Sequence, residues 1–221
     1  MPPESIKAKT ERTAAIISRL KHAYPDARCE LDYSNPFELL IATILSAQCT
    51  DKQVNIVTST LFKKYRCPAD YATVQLEELQ NDIKRIGLFR NKSKSIQKCC
   101  QALIDRYGGK VPADMKSLVG LAGVGRKTAN VVLGNAFNIN EGIVVDTHVG
   151  RLSNRLGLTR EKIPEKVESR LQKLVTRNDW TMFSHWLIWH GRRRCSARKP
   201  DCSICEIAML CPSEKDGIYL K

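Results

Sequence analysis

Apolar residues recur along this chain at three- and four-residue intervals rather than at every second position, the pattern of helices that bury one face. The clearest run is NPFELLIATILSAQ, in which Phe37, Leu40, Ile41, Ile44 and Leu45 make one stripe. Asn35 stands where a cap is needed, Pro36 suits the first helical position, and Glu38 completes the spacing of a capping box. TDKQVNIVTSTLFKKY restarts the period, with Thr50 and Gln53 in the same box spacing and Val54, Val57, Thr58, Leu61 and Phe62 on one side. LEELQNDIKRIG puts Leu76, Leu79, Ile83 and Ile86 on one face of a helix that Gly87 ends. In SKSIQKCCQALIDRYG the period takes in Ile96, Cys99, Cys100, Leu103, Ile104 and Tyr107, so the adjacent Cys99 and Cys100 read as core. After Gly108 and Gly109 come a short helix from Asp114 to Val119, a tight glycine turn, and a helix with Ala129, Val132, Leu133 and Ala136 on one side. Only GIVV is rich in β-branched residues, too little to build a sheet. The fold class predicted is all-α.

Charge adds a partner to this picture. Thirty-six Lys and Arg against 23 Asp and Glu leave a net +13, an excess that points to a polyanion, either nucleic acid or an anionic membrane surface. The opening residues carry no apolar signal segment, and no later window approaches the run of about 18 apolar residues that spans a bilayer. A soluble cytosolic chain of one large domain or two small ones is expected. In that compartment clustered cysteines are metal ligands or redox groups more often than crosslinks. Of the nine cysteines, Cys195, Cys202, Cys205 and Cys211 crowd the end of the chain with six, two and five residues between them. Such a set predicts one metal centre, and four thiolates can close a tetrahedral zinc site or bind an iron-sulfur cluster. The intervening SARKPD presents Arg198 and Lys199, with Arg192, Arg193 and Arg194 just before it. Phosphate contacts are the expected use of these charges, with a merely solvated basic face as the alternative.

LAGVGRKTANVVLGNAF carries the second constellation. Gly123 and Gly125 leave backbone N-H groups uncovered at the start of a helix, where unpaired donors and the helix dipole attract an anion. Arg126 and Lys127 follow at once, so a helix-hairpin-helix grip on DNA phosphate is predicted. Lys127 has two readings, a solvated phosphate contact or a nucleophile. The latter must be neutral, which Arg126, the positive helix end and desolvation all favour. Asp146, in EGIVVDTHVGRLSNRLG, can cap the helix that begins near His148, serve as a catalytic carboxylate, or do both. His148 reads as packed or phosphate-touching. Gln48 returns nearly to the helical direction of Phe37 and so extends the apolar stripe with a carboxamide, buried against backbone or available at the helix end. Asp51 either borders a pocket or charges a helix N-terminus. Trp186 and Trp189, with the neighbouring histidines, read as core near the metal centre.

Taken together, NPFELLIATILSAQCTD, LAGVGRKTANVVL, VDTHVGRL and the final cysteine spacing resemble the endonuclease III family, DNA glycosylases and abasic-site lyases of the helix-hairpin-helix superfamily. The resemblance runs from about residue 10 to the end. It departs at Ala122, where the family usually has proline, which implies a less rigid hairpin. It implies a two-lobed fold: residues 29–140 as a six-helix lobe with the hairpin, and residues 1–28 with 141–221 as a lobe around a four-iron four-sulfur (4Fe-4S) cluster. The four cysteines would hold that cluster as a structural clamp, and the active site would lie in the cleft, with Lys127 on one side and Asp146 on the other. It further implies Lys127 and Asp146 as catalytic residues, Gln48 as a plug in the emptied base stack and Leu88 as a wedge on the opposite strand. Gly123, Val124, Gly125, Arg126, Thr128, His148, Arg198 and Lys199 complete the implied DNA contacts. The implied activity is removal of oxidised pyrimidines from double-stranded DNA followed by β-elimination at the abasic site, by a monomer, with no membrane partner, in the cytoplasm and associated with the nucleoid. Two alternatives stand beside it. An adenine-mismatch glycosylase of the same superfamily lacks the hairpin lysine and usually carries a further C-terminal domain, whereas this chain has Lys127 and ends ten residues after Cys211. A non-catalytic DNA-binding protein would use the same basic surface without cutting.

Overall fold

The computed structural model describes residues 4–215, and among these it contains helices and turns but no strand. GIVV accordingly forms no sheet, and Ile143 and Val144 are buried as coil. The chain divides into two compact units, one of residues 29–141 and one of residues 1–28 with 142–221.

The first unit is built around α2 (Pro36–Ser46). Asn35 caps it by accepting the Glu38 N-H at 3.0 Å, while the Glu38 carboxylate reaches back to the Ser34 N-H at 2.7 Å. The reciprocal bond of the box is thus shifted by one residue from the expected Asn35. Leu39, Leu40, Ile41 and Ala42 are all fully buried, so α2 is wrapped on every side rather than along one stripe. A helix apolar all round belongs in a core. Around it lie α3 (Asp51–Lys64), capped by Thr50, then α4 (Pro68–Thr73), α5 (Leu76–Asp82) and α6 (Phe89–Tyr107). α5 stops before Ile83, four residues short of the end that periodicity predicts. Ile83 and Ile86 still reach the core, joined through a turn in which the Ile86 N-H donates to the Ile83 carbonyl at 2.9 Å. Helical spacing of apolar residues therefore outlasts the helix here. In α6, Cys99 and Cys100 are fully buried, as core residues should be, while Ile104 faces outward. α7 (Met115–Val119) and α8 (Arg126–Ala136) complete the unit.

The second unit combines α1 (Ile6–Ala23), α9 (Thr147–Arg155), α10 (Pro164–Leu171), α11 (Trp180–Arg193) and the short α12 (Pro212–Lys215). Ile16, Leu20, Leu152, Leu171, Phe183 and Leu187 form its core. Trp186 and Trp189 are buried in it, as core residues should be. Arg12 of α1 joins distant segments by donating to the carbonyls of Leu156 at 2.8 Å and Leu210 at 3.1 Å. No helix among the described residues is long and apolar enough to cross a membrane.

Candidate functional site

The hairpin between α7 and α8 is a type II turn over residues 121–124. The Val124 N-H donates to the Leu121 carbonyl at 3.2 Å, and Gly123 in the third position has φ +78°. That dihedral favours glycine, and a Cβ there would also lie 2.9 Å from Cβ of Ser95. Ala122 occupies the second position, the one that proline pre-forms in such a turn, which gives the departure at this residue its physical meaning. Val124 closes the turn. Its side chain is buried and its N-H is bonded within the turn, so it helps build the hairpin. Gly125 is the extended N-cap of α8 and contributes no side-chain acceptor, so the cap residue itself leaves the first N-H groups of the helix uncovered. Arg126 and Lys127 are exposed in that first turn, and Thr128 is half-buried. Lys127 thus stands at the positive helix end beside Arg126, as expected, but the protein does not bury it.

A second type II turn ends α2. The Cys49 N-H donates to the Ser46 carbonyl at 3.0 Å, Ala47 has φ −57° and ψ 117°, and Gln48 has φ +55°. Gln48 is exposed and lies beyond the helix, so it does not continue the α2 stripe. Gly87 approaches the same turn, since a Cβ on it would sit 3.6 Å from the Gln48 carbonyl oxygen. Leu88 follows, in the left-handed region at φ 60°, ψ 28° and 54% exposed, and begins α6. An exposed leucine and a glutamine, both in a conformation that favours glycine, are two backbone costs on adjacent turns. Lys92 of α6 is buried against them and donates from Nζ to the carbonyls of Leu45 at 2.8 Å and Ala47 at 2.6 Å. Burial holds its pKa below the ordinary lysine value, with the nearby Cys49 thiol acting in the opposite sense.

In the second unit Asp146 is the N-cap of α9, its Oδ1 accepting the Val149 N-H at 2.8 Å. This cap leaves Oδ2 without a hydrogen-bond partner among the described residues. His148 is half-buried against α11, where a Cβ on Gly191 would fall 2.7 Å from its Nδ1. Desolvation lowers its pKa, Asp146 opposes that, and Arg151 and Arg192 reinforce it. Asp51 takes the first position of α3, where a carboxylate complements the dipole.

Cys195, Cys202, Cys205 and Cys211 line one cavity together with Arg155 and His190. Burial raises the Cys205 thiol to about 11 and lifts Cys202 and Cys211 as well, with repulsion from the neighbouring sulfurs adding to it. The tightest ligand group among the described residues, His190, Cys205 and Glu206 within 4.8 Å, takes in only one of the four thiols. A single tetrahedral zinc with 2.3 Å bonds would draw four sulfurs to about 3.8 Å of one another. Thiols spread around a cavity suit a larger centre. Arg155, which the sequence left without a role, donates to Sγ of Cys195 at 3.1 Å and to the Ser196 and Ala197 carbonyls at 2.6 Å each. It fastens the loop on which Arg198 and Lys199 are exposed. His190 sits between the Tyr24 hydroxyl, 2.9 Å from Nδ1, and Sγ of Cys205, 3.5 Å from Nε2. Its pKa is lowered to about 4 by burial, so at neutral pH its approach to Glu206 is no ion pair, and Arg194 at 3.1 Å is the partner of Glu206. Arg194 and Arg193, the latter 3.7 Å above the Trp189 ring, are therefore engaged within the protein.

A model of the HhH-GPD superfamily of base excision DNA repair proteins matches residues 41–177. Endonuclease III of Bacillus subtilis (strain 168) is 53% identical over 196 residues, covering 88% of this chain and 89% of that protein. Endonuclease III of Synechocystis is 50% identical over 206 residues, covering 93% and 94% respectively. A solved structure of a trapped endonuclease III-DNA covalent intermediate, an estranged-adenine complex, matches with a TM-score of 0.89 at 48% identity, covering 95% of this chain and 98% of that one. The chain therefore belongs to the endonuclease III family of HhH-GPD base excision DNA repair proteins, and is a DNA glycosylase and abasic-site lyase.

Proposed function

We propose that the protein excises oxidised pyrimidines from duplex DNA, and then cuts the abasic strand, through the amine of Lys127 with Asp146 as its acidic partner. The observation that carries this reading is the position of Lys127: exposed in the uncapped first turn of α8, beside a glycine turn suited to phosphate. A stacked nucleotide hides its glycosidic bond, so it must first leave the helix. Gln48 then fills the gap and Leu88 enters the opposite strand, a use that accounts for their exposed, left-handed backbones. Backbone donors of Gly123 and Gly125, with Arg126 and Thr128, hold phosphate on one side. His148, Arg198 and Lys199 do so on the other unit.

The chemistry needs Lys127 neutral, and the bound duplex supplies the desolvation that the exposed side chain otherwise lacks. Its lone pair attacks the anomeric carbon. The bond to the base breaks, and the base leaves with that electron pair and takes up a proton. Asp146, through the oxygen that the cap does not use, stabilises positive charge on the sugar and assists proton transfer as the ring opens to an iminium. The iminium acidifies the neighbouring C2′ proton; its loss expels the 3′ phosphate and cuts the strand. That a similar protein has been caught as a covalent intermediate with DNA supports this route. Borohydride added during the reaction should reduce the iminium and leave the polypeptide covalently attached to an abasic oligonucleotide. Strand cutting with no trapped species would overturn the assignment.

Gln48→Gly separates function from stability. Glycine relieves about 1–2 kcal/mol of left-handed strain and adds about 0.5–1 kcal/mol of unfolded-state entropy, so folding should be about half a kcal/mol more stable in urea. Excision from duplex DNA should nonetheless slow. A loss of stability would mark Gln48 as a structural residue.

We assign a four-iron four-sulfur cluster to Cys195, Cys202, Cys205 and Cys211. All four ligands are thiols, no position remains open for substrate, and Arg155 couples the centre to the loop bearing Arg198 and Lys199. The group then acts as a clamp on a phosphate-binding loop, not as a seat of hydrolysis. The purified protein should be brown and contain iron and acid-labile sulfide in equal amounts, while a colourless zinc protein would overturn this. The protein works as a monomer in the cytoplasm on nucleoid DNA; the five cysteines outside the cluster are all free thiols, which suits a reducing compartment.

A further inference from the structure

We propose that Lys92 is the positioning residue that holds Gln48 in the orientation for entry into the opened duplex. The inference rests on the reading of Gln48 as the plug. Lys92 is 6% exposed, and no carboxylate among the described residues pairs with it; its ammonium is met by neutral carbonyls alone. A buried cation so partnered is a poor source of stability, and the orphan carbonyls of a helix end are more simply satisfied by a glycine cap or by water.

What Lys92 does beyond capping lies in which carbonyls it takes. The oxygen of Ala47 belongs to the central peptide of the type II turn, the one between Ala47 and Gln48. Rotation of that peptide converts a type II turn to type I, in which the third residue relaxes to φ near −90°. The bond from Nζ to that oxygen at 2.6 Å holds the peptide in the type II orientation and keeps Gln48 at φ +55°. The backbone N-H of Lys92 meanwhile donates to the carbonyl of Leu88 at 3.0 Å. That main-chain bond, made alongside the one from the Asn91 N-H, is the ordinary first-turn bond of α6, so it is the side chain of Lys92 that is particular to this residue, and it acts on the turn that carries the plug.

Lys92→Met keeps the unbranched stem of the side chain and removes the donor. Single-turnover excision of an oxidised pyrimidine from duplex DNA should fall about tenfold or more, because small misplacements near a reacting centre are amplified in rate. The change should act through Gln48: in a Gln48→Ala background, itself slow, Lys92→Met should cost less than about twofold. A crystal structure of Lys92→Met should show Gln48 relaxed to negative φ. If Lys92→Met excises at the wild-type rate while Gln48→Ala is slow, or if its loss is equal in both backgrounds, or if Gln48 keeps its positive φ, the role of Lys92 is refuted. A Gln48→Ala protein that excises normally refutes the plug reading itself, and the Lys92 inference with it. Should Lys92→Met fail to fold, Lys92→Gln, whose amide is one bond too short to reach the Ala47 oxygen, is put through the same cycle with the same expected pattern.

Discussion

Lys127→Ala is expected to slow strand cutting at an oxidised pyrimidine by about a thousandfold or more and to abolish borohydride trapping, because the residue would supply the covalent bond itself. Binding and folding should survive. The side chain is exposed in the first turn of α8, so its loss leaves no cavity, and alanine is the better helix former. A lysine that only touched phosphate would give the opposite result. Affinity would weaken, the salt dependence would fall by about one counterion, and the rate at saturating enzyme would hold. Lys127→Arg sharpens the contrast, since it keeps the charge but offers no free amine. Cutting by either variant at the wild-type rate would remove Lys127 from the chemistry.

Asp146→Asn should reduce excision about a hundredfold or more while changing stability by less than about half a kcal/mol. Asparagine caps a helix as well as aspartate does, so the bond from the Val149 N-H, 2.8 Å in the wild type, can be kept. What is lost is the negative charge that stabilises the developing cation and takes part in proton transfer. Asp146→Ala loses the cap as well and should cost about 1 kcal/mol of stability on top of the rate. The pair of variants thus divides the residue's two roles. An asparagine variant with full activity would leave Asp146 only a cap.

Much of this protein could be read from local chemistry. Asn35, Pro36 and Thr50 signal helix starts because a cap is a contact over three residues, and Asp114 and Asp146 are caps for the same reason. Cys99 and Cys100 fall on the apolar side of a single helix, so their burial is visible from spacing alone. Where two processes share one pattern, the reading fails. Ile83 and Ile86 keep helical spacing after α5 has ended, because a turn can deliver side chains to the core as well as a helix can. Gln48 lies in helical phase with Phe37, yet the chain leaves the helix before it, and no residue nearby announces a type II turn with glutamine in the glycine position. Local patterning alone does not delimit α1, α4, α10, α11 or α12.

By itself the sequence determined the helical class, the glycine hairpin with its lysine, the capping aspartate and the quartet of cysteines, since each follows from residues a few positions apart. Only the tertiary structure decided that α2 is enclosed on every side, that Lys92 reaches the end of a helix 45 residues earlier in the chain, and that Arg155 grips the cysteine loop from 40 residues away. Those roles depend on which segments pack together. A buried cation is recognised by the carbonyls that surround it, and nothing in the order of residues says which carbonyls those will be.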